Sequence, residues 1–193
     1  VVRKAGLNEE VLVRAAVDLI DEEGISALTL ARLAERLGVR SPSLYKHITG
    51  LEGLHQGIAL WGARELGRRM SRAAVGKSGD EAIRAIAQAY REFVKDHPGV
   101  YPMLVRAPDQ SAPALEAASA EILATIQAVL SAYGLGERDA VHAIRGLRSF
   151  VHGFVSMETG GGFGMPIDID ESFAYLIERF IRGLRPPSAE LER

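Results

Sequence analysis

A chain of 193 residues, 47% hydrophobic and 25% charged with a net charge of -2 at pH 7, has enough apolar material for one large domain or two small ones. The absence of cysteine excludes disulfides, a thiol nucleophile and thiolate metal sites. No window approaches the uninterrupted apolar length of a membrane-crossing helix, and "VVRKAGLNEE" has no apolar signal core behind its charges, so a cytoplasmic location without membrane contact is expected.

The small net charge conceals an asymmetry. Between Ile25 and Gly50, Arg32, Arg36, Arg40 and Lys46 stand against Glu35 alone, whereas Asn8 to Gly24 sets Arg14 against Glu9, Glu10, Asp18, Asp21, Glu22 and Glu23. A localised basic patch beside an acidic helix speaks to polyanion binding more directly than the whole-chain balance does.

Helical periodicity runs through almost every segment and no stretch alternates as a half-buried strand would. The predicted class is all-α. The first helix, "NEEVLVRAAVDLIDEEG", has Asn8 as N-cap and Gly24 as its stop; the second, "TLARLAERLG", has Thr29 as N-cap, Leu30, Leu33, Ala34 and Leu37 on one face and Gly38 as its stop. The short piece "SPSLYKHI" follows. A longer helix is predicted from Leu51 to about Ala74, ended by "GKSGD", and another begins with capping-box spacing at Ser78 and Glu81 and ends at "DHPG". After "VYPMLVRAP", helices are predicted from about Ser111 to Tyr133, from Glu137 to Glu158 and, beyond the loop "TGGGFGMPI", from the "DIDE" box to about Leu184. The expected organisation is an N-terminal three-helix helix-turn-helix domain over 1–50, a larger helical domain over 51–185 and a flexible tail over 186–193.

Two short helices joined by a tight glycine-containing turn form the helix-turn-helix unit, whose second helix enters the DNA major groove. Here Ala34 is small at the crossing, Gly38 can take the positive φ of the turn, Val39 plugs it, and Leu44 and Ile48 hold the second helix against the first. Ser41 is predicted to cap that helix, with Pro42 at its first position. Ser41, Ser43, Tyr45, Lys46 and His47 are too polar for core and suit DNA: helix-end N–H groups, Arg40 and Lys46 for phosphate, Tyr45 for a phosphate hydrogen bond, Ser43 for a base edge. The competing explanation is a solvated helix that happens to be polar and basic.

"TLARLAERLGVRSPSLYKHI", preceded by a helix ending "LIDEEG", resembles the N-terminal domain of TetR-type transcriptional regulators over about residues 8–56. The stretch "RSFVHGFVSMETGGGFG", followed by "DIDESF", is similar to the ligand-binding domain of the subgroup called WHG, with Phe150 where the name has Trp. The resemblance implies DNA contacts at Thr29, Ser41, Ser43, Tyr45, Lys46 and His47. A lysine common in the family at the start of the fourth helix is Leu51 here, which would remove one phosphate contact and flatten the salt dependence.

From Lys77 onward the chain is helical, slightly acidic and rich in alanine, and the resemblance implies homodimerisation through the last two helices and a small-molecule cavity. The stripe Phe173, Leu176, Ile177, Phe180 and Leu184, with Gly146 and Gly153 on the preceding helix, fits a four-helix bundle between two copies, the alternative being an intramolecular core. Candidate cavity residues are Trp61, Tyr90, Phe93, Tyr101, Met103, Leu104, Ile122, Ile126, Arg145, Phe150, His152 and Met157, mostly large and apolar with a few polar handles, which points to an apolar or aromatic effector.

"GGGFG" at 160–164 lacks the preceding strand and following Gly-Lys-Ser/Thr of a phosphate loop, and neither the histidines nor any serine shows metal or nucleophile spacing. No cofactor, metal site or catalytic residue is therefore expected. The predicted function is a ligand-responsive regulator, a repressor released from a palindromic operator on double-stranded DNA. The alternatives are a helical enzyme acting through His152 and a dimeric interaction module that has lost DNA binding.

Overall fold

The computed structural model describes residues 6–105 and 112–185; the tail expected over 186–193 and the helix start expected at Ser111 lie outside the described residues. Within these, the chain is helical with no strand. The helices are α1 (Glu9–Glu23), α2 (Leu30–Leu37), α3 (Gly50–Ala74), α4 (Gly79–Asp96), α5 (Pro113–Leu130), α6 (Glu137–Thr159) and α7 (Ile169–Gly183), with short 3₁₀ turns between several of them. They form two compact units. The first takes the chain up to Glu65 together with Asp96–Ser119; the second takes Leu66–Lys95 and the chain from Ala120 onward.

Local chemistry sets the helix ends of the first unit. Asn8 accepts a hydrogen bond from Val11 N (2.9 Å) at the start of α1, and Thr29 Oγ1 accepts one from Arg32 N (3.1 Å) at the start of α2, each satisfying an otherwise orphaned N–H. Gly38 closes α2 in the left-handed region at φ 66°, where a side chain would be strained, and Val39 N returns to Ala34 O at 2.9 Å. Apolar spacing then turns Leu12, Ala16, Leu19 and Ile20 of α1, Leu33 and Ala34 of α2, and Leu54 and Ile58 of α3 into one buried cluster, joined by Leu44, Ile48 and Val100.

Val100 enters that cluster because the segment after α4 lies hard against the end of α1. A Cβ on Gly99 would collide with Ile20 Cγ2 and stand 3.0 Å from Ile20 O. Gly99→Ala is therefore expected to destabilise the first unit by about 1–3 kcal/mol, seen as a lower urea midpoint in the full chain.

In the second unit the α7 stripe is intramolecular. Phe173, Ile177, Phe180 and Leu184 are buried within a single chain, and Phe180 meets the ring of Phe150 edge-on at 5.8 Å. A Cβ on Gly146 would stand 3.4 Å from Phe180, an ordinary van der Waals distance. The expectation that this stripe faces a second copy is corrected, because all of it but the half-buried Leu176 is buried within the single chain. What these helices leave exposed is a different set that includes Phe150, Met157 and Tyr175.

The α6–α7 connection is tied to α4 by charge. Arg91 Nε and Nη2 donate to the two oxygens of Glu158 at 2.7 and 2.6 Å, Arg91 Nη2 reaches Asp170 at 2.7 Å, and Lys95 Nζ reaches Glu158 at 3.0 Å. The guanidinium also lies over the Phe173 and Phe154 rings at 4.8 and 5.7 Å. Arg91 holds Glu158 below the usual carboxylate range, with Lys95 adding to the effect.

One helix among the described residues reaches the length and mean hydropathy of a membrane-crossing segment. The stretch Pro113–Tyr133 has a window of mean hydropathy 1.3, of which 22% is buried, and by length and composition alone could cross a membrane. Its alanines raise the mean, while Glu116 and Glu121 interrupt the run.

Candidate nucleic-acid interface

The segment Ser41–Lys46 is a 3₁₀ helix whose N-cap is Arg40, and no side chain caps it. The expected role of Ser41 as N-cap is corrected: Ser41 is the first residue of the turn, and Ser43 N bonds to Arg40 O at 2.8 Å. So short a 3₁₀ turn has little aligned dipole, and the expected contribution of the helix end to phosphate attraction falls away with it. Its rigidity comes from packing. Leu44 is fully buried, while its neighbour Tyr45 is 60% exposed and Lys46 is exposed beside it.

Arg40 and Pro42 are also exposed, and Ser41, Ser43 and His47 are half-buried. Tyr45, Lys46 and His47 share the wall of an open hollow of about 530 Å³ with Thr49, Gly53 and Gln56 at the start of α3 and with Glu9 of α1. Thr29, Arg40, Ser41, Pro42 and Ser43 do not line it. Thr49 and Gln56 were missed from sequence, although Thr49-x-x-Glu52 has the spacing of a helix start.

The basic patch is smaller than its composition. Arg36 makes a two-pronged pair with Glu22 (2.7 and 2.6 Å), and Arg32 pairs with Glu23 (3.0 Å) and Glu35 (3.0 Å). The acidic end of α1 thus pairs with two of the four cations across the α1–α2 surface, and Arg36 holds the Glu22 carboxyl below its usual range. Arg40 and Lys46 carry no ion pair among the described residues. The positive charge that remains is concentrated at the turn and on the segment Ser41–Lys46.

The candidate cavity residues divide between the units. Trp61, Tyr101, Met103 and Leu104 belong to the first, with Tyr101 buried and Trp61 and Met103 packed against its core. Tyr90, Phe93 and Ile126 are buried in the second, where Ile122 and His152 are half-buried. Arg145, Phe150 and Met157 belong to α6, where Phe150 and Met157 are exposed; Phe150 lines a surface hollow of about 710 Å³ with His142, Arg179 and Phe180. Among the described residues there is no group of three or more His, Asp or Glu side chains that could hold a metal ion.

A family model for bacterial regulatory proteins of the tetR family matches residues 12–54, and one for a tetracyclin repressor-like C-terminal domain matches residues 83–180. The chain is 34% identical over 183 residues to the uncharacterized HTH-type transcriptional regulator YobS of Bacillus subtilis, covering 94% of each. It is 30% identical over 165 residues to the class A tetracycline repressor protein from transposon 1721 of Escherichia coli, covering 80% of this chain and 68% of that one. A solved structure of a protein with unknown function from Rhodococcus sp. RHA1 superposes with a TM-score of 0.81 at 23% identity, over 94% of this chain and 97% of that one. The chain belongs to the TetR family, whose members are not enzymes but transcriptional regulators that bind DNA operators and small-molecule effectors and dimerise.

Proposed function

We propose that the chain is a homodimeric repressor, resident in the cytoplasm, that reads a palindromic operator through Ser41–Lys46 and leaves it when an apolar or aromatic effector binds. The observation that carries this reading is the division of labour in the segment: Leu44 is fully buried and fixes it, while Tyr45 and Lys46 stand exposed and available to a partner. In this reading Lys46, Arg40 and Tyr45 contact phosphate, Ser41 and Ser43 reach base edges, Pro42 shapes the approach, His47 lies at the groove wall, and Thr29 donates a hydrogen bond from its hydroxyl to a DNA phosphate. Leu51 leaves one phosphate contact fewer.

The exposed Phe150, Met157 and Tyr175 support α6 and α7 as the helices that pair with a second copy. The other ten candidate cavity residues, the WHG-like subgroup, and a reading domain over 1–50 followed by a ligand domain over 51–185 belong to the same proposal, with Phe150 and Met157 moved from the cavity to the pairing face. The class A tetracycline repressor, a relative by name a repressor, supports the sign of the regulation. α3 runs from the reading segment's end as one continuous helix to Ala74, so an effector that favours another placement of α3 would change the spacing of the two reading segments. Operators fix that spacing at about 34–36 Å or a multiple of it, and only a difference in effector affinity between the two placements shifts the balance.

The test is a gel shift on the DNA flanking the chain's own gene. Lys46→Ala with Tyr45→Phe is expected to weaken binding by at least about tenfold and to reduce the slope of log affinity against log salt by about one. Unchanged affinity in the double variant would show that the contact surface lies elsewhere.

A further inference from the structure

Within the second unit, α4 and α7 leave a hollow of about 300 Å³ between them, and its chemistry is ordered from end to end. Arg84, Gln88 and Arg91 stand four and three residues apart on α4, so they share one face. The matching face of α7 brings Asp170, Phe173, Ile177 and Glu178. Arg91 meets Asp170 and Arg84 meets Glu178, a register that runs the two helices in opposite directions and puts one guanidinium–carboxylate pair at each end. Between the pairs lie the Gln88 amide and an apolar floor made by the buried Phe173 and Ile177.

The two α7 carboxylates are replaceable occupants. The Asp170 side chain is 79% exposed, although the Arg91 side chain it meets at 2.7 Å is only 3% exposed, and that arginine already has a buried counter-charge in its two-pronged bond to Glu158. Asp170 thus takes up donor capacity left over from the buried pair. Arg84 and Glu178 are both substantially exposed, and exposed pairs of this kind contribute little to stability. The other acid near Arg84 is Asp80 at 3.9 Å, itself engaged by Tyr133 and Arg185 at 2.6 Å each. Gln88 donates to the exposed Glu92 one turn on, at 2.9 Å. Releasing either α7 carboxylate returns it to water at small cost, while a ligand carboxylate in its place gains a charge-assisted hydrogen bond beside apolar surface.

We propose that this hollow binds a linear dicarboxylate, which replaces Asp170 on Arg91 and Glu178 on Arg84 and lays its methylene chain over Phe173 and Ile177 with the Gln88 amide alongside. Two turns of α4 separate the backbones of the two arginines by about 10 Å, so the ligand carries its charges at the two ends of a chain such as adipate's. A compact anion such as phosphate satisfies one guanidinium only. The volume lies at the small end of ligand pockets and suits a molecule of that size. Binding here depends on neither the effector cavity nor the DNA-reading role proposed above, and it uses none of their residues.

Isothermal titration calorimetry of adipate, succinate and hexanoate against the full chain tests it. Adipate is expected to bind saturably, one per chain, and at least about tenfold more tightly than succinate, which is too short to bridge the arginines, or hexanoate, which lacks the second charge. Arg84→Ala is expected to weaken adipate by about tenfold. Asp170→Asn and Glu178→Gln are expected to do the opposite, each tightening adipate by about threefold, because each removes an internal competitor; pairs with a purely structural role would give no such gain. Thermal unfolding checks each variant, and Asp170→Asn, whose side chain stands mostly in solvent, carries the comparison should Glu178→Gln not fold. Absence of saturable adipate binding in both the wild type and Asp170→Asn overturns the site. So does adipate affinity equal to that of either control ligand, left within about twofold by Arg84→Ala, or unchanged or weakened by Asp170→Asn.

Discussion

Arg91→Met is expected to lower the stability of the full chain by about 3 kcal/mol at neutral pH, measured by urea unfolding with a probe in α6 or α7. Removing the guanidinium leaves the Glu158 carboxylate, 10% exposed, in a site it shares with the rings of Phe154 and Phe173, and a charge stranded in such a place costs more than the pair contributed. Lys95 stays 3.0 Å away and keeps the loss near the lower end of the range for broken buried pairs. The acid response fixes the assignment. Glu158 has its folded pKa depressed below the ordinary 4.5, first by Arg91 and then by Lys95, so its contribution is complete above that value and disappears as the pH falls through the depressed one. The stability gap between wild type and Arg91→Met is expected to be constant from pH 6 to 8, at about the same 3 kcal/mol, and to close in strong acid. A gap that persists unchanged in acid would assign the loss to packing against the two rings instead.

Leu44→Ala is expected to cost about 2–5 kcal/mol, also by urea unfolding, and to abolish retention of operator DNA. Leu44 is the one buried residue of its 3₁₀ segment, and the segment is too short to hold its shape by hydrogen bonding alone. Truncating it opens a cavity in the core it shares with Leu33, Ile48 and Leu54 and removes the contact that sets the direction of Tyr45 and Lys46. Tyr45→Ala, one position along, provides the contrast: a side chain this exposed should change stability by no more than about 0.5 kcal/mol while still weakening DNA binding. Equal stability losses in the two variants would contradict the division between anchor and reader.

Features decided within a few residues are legible in the sequence. Asn8, Thr29 and Asp168 each accept from an N–H three residues on, and Gly38 closes a turn whose chemistry lies in "LGV"; all four can be read locally. Features decided across the chain cannot. The basic window looks like a single patch because nothing local reveals that Arg32 and Arg36 turn back to Glu23 and Glu22. The Arg91–Glu158 pair joins residues 67 apart in sequence, and neither residue stands out from the other charged positions of its helix. Periodicity shows that α7 has an apolar stripe but not whose core it enters; the burial of Phe173, Ile177 and Phe180 within one chain and the Phe150–Phe180 contact decide that. The reading segment resembles a capped helix because six residues with Ser-Pro at the front carry too little period to separate a 3₁₀ turn from an α-helix.

Because the load of folding in this segment rests on Leu44 and Ile48, the side chains that meet solvent around them are free to vary. Under the reading role proposed for this segment, substitutions at Ser41 or Ser43 are expected to retune which bases are preferred without endangering the scaffold, so a duplicated gene could acquire a new operator before it acquires a new fold. Descendants of such a chain would diverge first in target and last in architecture.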